Sequence, residues 1–371
     1  MCEEAVYDVV ALGELLIDFT PVSTDGAGCP TLKANPGGAP GNLLAALSRY
    51  GRRTAFLGKV GEDAFGRLLL ESLRRAGVQT RGIRLTSSAF TTLAFVTLDA
   101  AGDRSFSFAR KPGADTQLRW EEVDRSLIQR CRLFHFGSLS LTDEPARSAT
   151  RAAVAYAREL GRTVTFDPNL RLPLWPSPAE ARAQILWSLC QADVVKLSDE
   201  EVDFLWGCSP QEGARRLLEE CGCTVIAIPC NTSHYFVDRI QQEIGIPILH
   251  MIRETARTLV AQGKRRPAIL ATDGTIRTGL YQKECAAFGL EAAPPEPAVQ
   301  RLVMSIIYEE IKRGERGSRE KFAQIDRALA SMGCDCAILG CTELSVFRSY
   351  HSLPPFYVDA MEVLAELAVV R

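Results

Sequence analysis

An α/β fold on a parallel sheet is predicted by three features of this 371-residue sequence. Short apolar runs alternate with helix-like segments almost throughout, the rhythm of strand–helix–strand crossovers. The runs are apolar nearly without interruption, as for strands covered on both faces. Hydrophobic residues make up 46% of the chain and charged residues 24%, enough apolar side chain for a sizeable core.

Taken in order, residues 7–13 (YDVVALG) form the first buried strand and 42–50 a helix stopped by Gly51. Residues 54–60 are a strand. Residues 64–76 carry Phe65, Leu69 and Leu73 on one helical face and end before Gly77, a residue suited to a left-handed cap. Residues 91–110 read as two alternating strands around Ala100-Ala101-Gly102-Asp103, a hairpin attached to the parallel sheet. Strands follow at 133–137, 163–167 and 193–197, with helices at 147–160 and 179–191 between them. The second half continues with strands at 224–229, 246–250, 267–272 and 335–340. Its helices are expected at 234–243, 253–262, 274–288, 297–313, 319–332 and 360–369. No repeat or low-complexity linker interrupts the pattern, so a domain boundary falls inside continuous α/β sequence.

Charge and composition exclude several functions. The formal charge is −2, from 43 basic and 45 acidic residues. A nucleic-acid footprint would be basic, and so would a surface drawn to anionic lipid. No apolar run reaches the roughly 18 residues of a membrane span. Met1-Cys2-Glu3-Glu4-Ala5 lacks the basic start and apolar core of a secretory signal, so a cytoplasmic location is expected. The twelve cysteines are then thiols. None forms a CxxC, and the CxC pairs Cys221/Cys223 and Cys334/Cys336 lack structural-zinc spacing, so no metal site is assigned.

Three glycine-rich or acidic signatures mark the first half. Gly13-Glu14-Leu15-Leu16-Ile17-Asp18 puts a carboxylate just past the first strand, at the edge where open α/β sheets bind ligands. Gly37-Gly38-Ala39-Pro40-Gly41-Asn42 lets backbone approach a ligand and offers Asn42 to cap a helix or meet a hydroxyl. Gly58-Lys59-Val60-Gly61-Glu62-Asp63-Ala64-Phe65-Gly66 is a strand–turn–helix with Asp63 as N-cap. Each alone is ordinary turn chemistry.

In this order, and continued by Phe108-Ala109-Arg110-Lys111-Pro112-Gly113-Ala114-Asp115, Phe166-Asp167-Pro168-Asn169-Leu170-Arg171 and Val195-Lys196-Leu197-Ser198-Asp199-Glu200-Glu201, they resemble the ribokinase-type (pfkB) carbohydrate kinases, the fructokinase branch in particular. The resemblance covers residues 5 to about 220. It implies a ribokinase-like three-layer parallel sheet with a β-hairpin lid. It implies a sugar held by Asp18, Gly38 and Asn42 with Arg110 nearby, and Asn169, Lys196 and Glu201 at the nucleotide phosphates, with ATP and magnesium as cofactors. Polyol hydroxyls need such carboxylate and amide partners. The family's late Gly-Ala-Gly-Asp, whose helix N-terminus holds phosphoryl charge and whose Asp takes the sugar proton, has no counterpart after residue 201.

In the second half, Cys230 follows Val225-Ile226-Ala227-Ile228-Pro229, and Cys341 follows Ala337-Ile338-Leu339-Gly340. Each is expected to leave a buried strand and precede a helix start, a position that lowers a thiol's pKa. Facing each other across a cleft, one could remove a proton from a carbon while the other delivers one to the opposite face. The segments Ile228–His234, Pro247–Ile252, Leu270–Thr275, Gly279–Gln282, Ile311–Gly314 and Ile338–Leu344 resemble the aspartate/glutamate racemase family, the aspartate racemase branch most of all, from about residue 213 to 371. This implies a Rossmann-like lobe with Cys230 and Cys341 as acid/base groups and no cofactor. Asn231, Thr232, Thr272, Thr342 and Lys312 would bind the amino acid. The start of a racemase, including a substrate-binding Arg, is replaced by kinase-like sequence.

The chain is thus expected to be a hybrid. Residues 1–220 would be a fructokinase-like domain without its C-terminal catalytic part, and 221–371 a racemase-like domain without much of its N-terminal part. They join in the amphipathic segment 211–222. Three readings follow: a racemase, a sugar kinase or sugar-binding module, and a fusion product without activity. The partners are small molecules, a sugar and an acidic amino acid, with neither nucleic acid nor membrane and with a homo-oligomer left open.

Overall fold

The computed structural model describes residues 6–98 and 104–370. They divide into two compact units, the first ending at Pro210 and the second starting at Gln211.

The first unit holds two sheets. The larger contains β1 (Tyr7–Leu12), β4 (Thr54–Gly61), β5 (Gln79–Thr86), β8 (Cys131–Gly137), β9 (Thr163–Asp167) and β10 (Val194–Val195). Its order is β10-β9-β8-β1-β4-β5, and every pairing is parallel. Val10 sits between Ala55 and Phe134 in register, and Val10, Ala55 and Phe134 are all fully buried. Helices α1 (Ala39–Arg49), α2 (Ala64–Arg75), α3 (Arg125–Gln129), α4 (Ala146–Glu159), α5 (Pro178–Leu189) and α6 (Asp199–Trp206) accompany them. This is the ribokinase-like parallel α/β sheet. Asp63 caps α2 as expected, accepting from the Phe65 and Gly66 amides at 2.9 and 2.8 Å.

The smaller sheet corrects the sequence reading. Residues 91–110 do not extend the parallel sheet. Strands β6 (Thr92–Leu98) and β7 (Arg104–Ala109) pair antiparallel in a separate sheet of order β3-β2-β6-β7. The expected turn, 100–103, lies outside the described residues. Strands β2 (Leu16–Thr24) and β3 (Pro30–Gly37) were not foreseen. Their outer halves are exposed, so no apolar run marks them, and Pro21 sits at a register shift where a proline needs no ladder donor. Asn42 does not cap a helix: α1 begins at Ala39 with Gly38 as N-cap.

The second unit contains two short parallel sheets. One pairs β11 (Ile226–Ala227) with β12 (Ile248–Leu249). The other has the order β13-β14-β15 (Pro267–Leu270, Cys336–Leu339, Tyr357–Asp359). Its helices, after α7 (Pro210–Cys221) at the boundary, are α8 (Val237–Glu243), α9 (Met251–Ala261), α10 (Asp273–Thr278), α11 (Leu280–Ala287), α12 (Pro297–Ser305), α13 (Arg319–Ser331), α14 (Thr342–Tyr350) and α15 (Ala360–Val370).

Two expected helices are broken. The 274–288 helix is interrupted at Gly279, whose φ of 66° makes it the left-handed cap of α10, a conformation glycine adopts without penalty. The 297–313 helix is α12, then a π turn at Ile306–Glu310 and a 3₁₀ turn at Ile311–Arg313. The carboxylate of Glu310 holds this stretch from outside the helix ladder, accepting from Ser318 N at 2.6 Å and from Lys321 Nζ at 2.5 Å.

In the first unit an ion pair is buried on both sides. Arg110 Nη2 lies 2.6 Å from Asp115 Oδ2, both side chains almost wholly covered. Thr92 donates to Asp115, and Arg110 donates to Thr142 Oγ1 and Leu139 O. Removing one partner of such a pair strands a buried charge. Asp115→Ala is expected to lower unfolding free energy by about 3–5 kcal/mol in urea titration, and Arg110→Met with Asp115→Leu together by less. Equal losses would show that the unpaired charge is not what costs stability.

Candidate functional site

A cavity of about 470 Å³ opens in the first unit, lined by strands of the smaller sheet and by loops that follow strands of the larger one. Leu16, Asp18, Thr20 and Pro21 come from β2, Val96 from β6 and Phe108 from β7. Gly38, Ala39 and Asn42 come from the start of α1, Leu139 from the loop after β8, and Asn169 and Arg171 from the loop after β9. Parallel strands end together, so the loops that follow β1, β8 and β9 share one edge.

The site is assembled around the end of β1. Glu14 leaves that strand and its Oε1 accepts from Ala39 N at 2.9 Å, in the first turn of α1. The carboxyl thus serves a helix start that has no capping side chain of its own,. Gly38 has φ 110°, and a Cβ there would lie 2.5 Å from the Glu14 carbonyl oxygen. Only glycine fits between the two segments. Glu14 is 2% exposed, and its Oε2 has no hydrogen-bond partner. Burial pushes its carboxyl up to about 7, against the pull of Ala39 N and Arg110. Burial also raises Asp18, which Arg171 partly offsets.

The sequence-predicted sugar residues divide. Asp18, Gly38 and Asn42 line the cavity; Arg110 does not, since its guanidinium stands behind the wall, committed to Asp115, Thr142 and Leu139. Arg171 lines the cavity and was missed. Its segment was noticed, but no local pattern shows that the loop turns it toward Asp18.

Asn169, Lys196 and Glu201 come together with Asp167. Asn169 has φ 43°, the described non-glycine residue in the left-handed region, a strained state that asparagine tolerates best. Its amide donates to Asp167 Oδ1 at 3.2 Å. Lys196 Nζ lies 3.4 Å from Asp167 Oδ1 and 3.9 Å from Glu201 Oε2. Glu201 is a brace: Oε1 accepts from Leu170 N at 3.1 Å and Oε2 from Ser198 N at 2.8 Å. It joins the 169–171 loop to the capping box of α6,.

In the second unit, three loops carry the predicted residues. The first holds Cys230, Asn231 and Thr232. Cys230 is exposed, follows a strand that is not buried and precedes a 3₁₀ turn, Thr232–Phe236, instead of the expected helix. His234 anchors this loop. Its Nδ1 lies 2.8 Å from Cys230 O and its Nε2 accepts from Met251 N at 2.9 Å, so the ring is neutral with its proton on Nδ1. Burial holds its pKa below the usual histidine range. The second loop supplies Thr272, the N-cap of α10. Thr275 Oγ1 lies 3.2 Å from Thr272 Oγ1 and 3.0 Å from Thr232 Oγ1.

The third loop holds Cys341, the N-cap of α14. Its thiol is not acidified as expected. Burial, then the Glu343 carboxylate, push it up to about 12. Cys341 Sγ donates to Glu343 Oε2 at 2.8 Å and Thr342 Oγ1 to the same oxygen at 3.1 Å. Lys312 Nζ lies 3.8 Å from Glu343 Oε1 and 4.1 Å from the Tyr308 ring centre. Burial raises the Glu343 carboxyl, but these partners outweigh it and hold the carboxyl below its usual range. Burial, joined by a carboxylate two residues past the thiol, overrides any effect of the helix start.

Glu14 generates a pH prediction. Its folded pKa of about 7 exceeds the ordinary 4.5, and Arg110 and Asp115 are the charges that face it. Folded chain keeps a proton that unfolded chain releases, so this contribution is complete below pH 4.5 and lost as pH rises through 7. The limit is about 3 kcal/mol. Glu14→Gln should therefore flatten the fall in urea midpoint between pH 5 and pH 8; a slope equal to wild type would refute it.

Two families of known proteins match the chain in succession, overlapping at 198–228. The model of the pfkB family carbohydrate kinases matches residues 7–228, and that of the Asp/Glu/Hydantoin racemases matches residues 198–368. Probable fructokinase-7 of Arabidopsis thaliana is 48% identical over 203 residues, 54% of this chain and 59% of that protein. The chain spans about three-fifths of the length of that relative. Among solved structures, a fructokinase from Xylella fastidiosa superposes with TM-score 0.53 at 38% identity, covering 57% of this chain and 66% of that one. A Vibrio cholerae O395 fructokinase, in a form with fructose, ADP and calcium bound, does so at 0.52 and 35%, covering 58% and 68%. The first match takes in more than half the residues, and the chain belongs to the pfkB carbohydrate kinase family.

Proposed function

We propose that the first unit of this pfkB-family chain binds a sugar, fructose first among candidates, in the cavity that Asp18, Gly38, Asn42, Asn169 and Arg171 line. One observation carries the reading: residues from three separate motifs meet around a single space of about 470 Å³. A carboxylate and two amides accept from and donate to hydroxyls, and Phe108, Val96 and Leu16 offer apolar surface to the carbon skeleton. The relatives named as fructokinases, one of them solved with fructose and ADP, support this choice of ligand.

ATP fits in part. Lys196, more than half exposed, and Asn169 suit a phosphate, and the nucleotide would supply the phosphoryl group. Magnesium takes one or two carboxylates beside phosphate and water, and Asp167 and Glu201, which both lie beside Lys196, would hold it. The sequence offers no Gly-Ala-Gly-Asp after residue 201 to deprotonate the sugar. The reading is therefore of sugar binding without phosphorylation.

The second unit supports a second reading, proton transfer at the α-carbon of an acidic amino acid. The hydrogen bond from Cys341 to Glu343, with Lys312 on the far oxygen, favours it. Cys341 held as a thiol is a proton donor, and Glu343 is placed to take its proton when the thiolate is needed. Cys230 would act on the opposite face, with Asn231, Thr232, Thr272 and Thr342 on the substrate carboxylates. No cofactor enters.

By calorimetry, fructose binding should weaken at least tenfold in Asp18→Ala, while ATP with fructose should yield no sugar phosphate. Sugar phosphate formed by the purified chain would overturn the binding-only reading. In deuterated water, α-proton exchange from aspartate should be abolished by Cys230→Ser and by Cys341→Ser alike. A wild-type chain that neither binds fructose nor exchanges the proton is the inactive fusion.

A further inference from the structure

Tyr281 reaches the first and third loops of the second unit and was given no role by its sequence. It is fully buried, at the second position of α11, directly after the break at Gly279 and Leu280. Its hydroxyl donates to Asn231 Oδ1 at 2.5 Å, across 50 residues of sequence. Its ring lies against the third loop: a Cβ added at Gly340 would stand 3.0 Å from Tyr281 Cε2. Burial raises the phenol well above its ordinary pKa of 10, so the group keeps its proton and donates.

An amide whose oxygen is taken by a donor is oriented by that bond. Asn231 is 6% exposed, and among the described residues its Nδ2 has no hydrogen-bond partner. Its first-loop neighbour Thr232 shares a hydroxyl contact with Thr275, which meets Thr272 in turn. We propose that Tyr281 is a positioning residue: it fixes the Asn231 side chain with Nδ2 outward, to donate to a carboxylate of an acidic amino acid, and it sets the Cys341 loop against the same ring. The proposal rests on the amino-acid reading of the second unit.

The same residue explains the broken helix. A continuous helix through 274–288 would turn Tyr281, six residues on, about 120° around the axis from Thr275. The left-handed Gly279 starts α11 afresh, and Tyr281 meets Asn231 while Thr275 meets Thr232.

The test uses the full chain. Tyr281→Phe keeps the ring and removes the hydroxyl. The Asn231 side-chain amide resonances should shift without any ligand, and its amide hydrogens should exchange with solvent at least fivefold faster. In the aspartate exchange assay, KM should rise tenfold or more with kcat changed less than threefold, since Asn231 touches the carboxylate and not the reacting carbon. Asn231→Asp still accepts from Tyr281 but lacks the donor, and KM should rise as much. Unchanged Asn231 resonances in Tyr281→Phe, an unchanged KM in either variant, or a loss confined to kcat overturns the positioning role. A wild-type chain that exchanges no α-proton overturns the amino-acid reading instead, and the Asn231 resonances alone then sustain or overturn the hold of Tyr281.

Discussion

The parallel pairing of β1 between β8 and β4 is the constraint from which the first unit follows. Val10 in register with Phe134 and Ala55 makes neighbouring strands end on the same side. Glu14, Leu139 and Asn169 leave β1, β8 and β9 at that edge. Antiparallel pairing of any one strand would send its loop to the opposite edge and remove a wall of the cavity. The second sheet works from across the space, where β2, β6 and β7 contribute Asp18, Val96 and Phe108. A hairpin added to the parallel sheet could not do this, because its strands would lie in the sheet rather than over the loops.

Charged groups in this unit fall into two kinds, and the difference is how completely they are partnered. Arg110 with Asp115 and Glu201 with its two amides are partnered on both sides, and they brace the loops. Glu14 and Asp18 are not, and burial raises the pKa of both. Low local dielectric makes an incompletely partnered carboxyl costly to ionise. Such groups are common where a ligand binds, and these two flank the start of α1.

The second unit reaches a similar arrangement by cross-loop hydrogen bonds, with sheets of only two and three strands. His234 fixes the backbone of the Cys230 loop, Tyr281 its Asn231 side chain, and Glu343 the Cys341 thiol. The first two anchors are buried and each ties together residues that are distant in sequence. The third is local, and together with burial it reverses the acidity expected of a thiol at a helix start.

The sequence by itself determined many of the buried strands, the change of family resemblance along the chain and the loops that carry chemistry. Those properties reside in apolar periodicity and short motifs, which are local. The exposed strands β2 and β3 escaped it because half of each buries nothing, so no pattern of apolar residues records them. The withdrawal of Arg110 from the cavity, the approach of Arg171, the raised Cys341 pKa and the reach of Tyr281 to Asn231 were decided by tertiary structure alone. Each depends on burial or on which partner a side chain meets in the folded chain. Burial and partner geometry, not residue type, set whether a polar group braces the fold or remains available to a ligand.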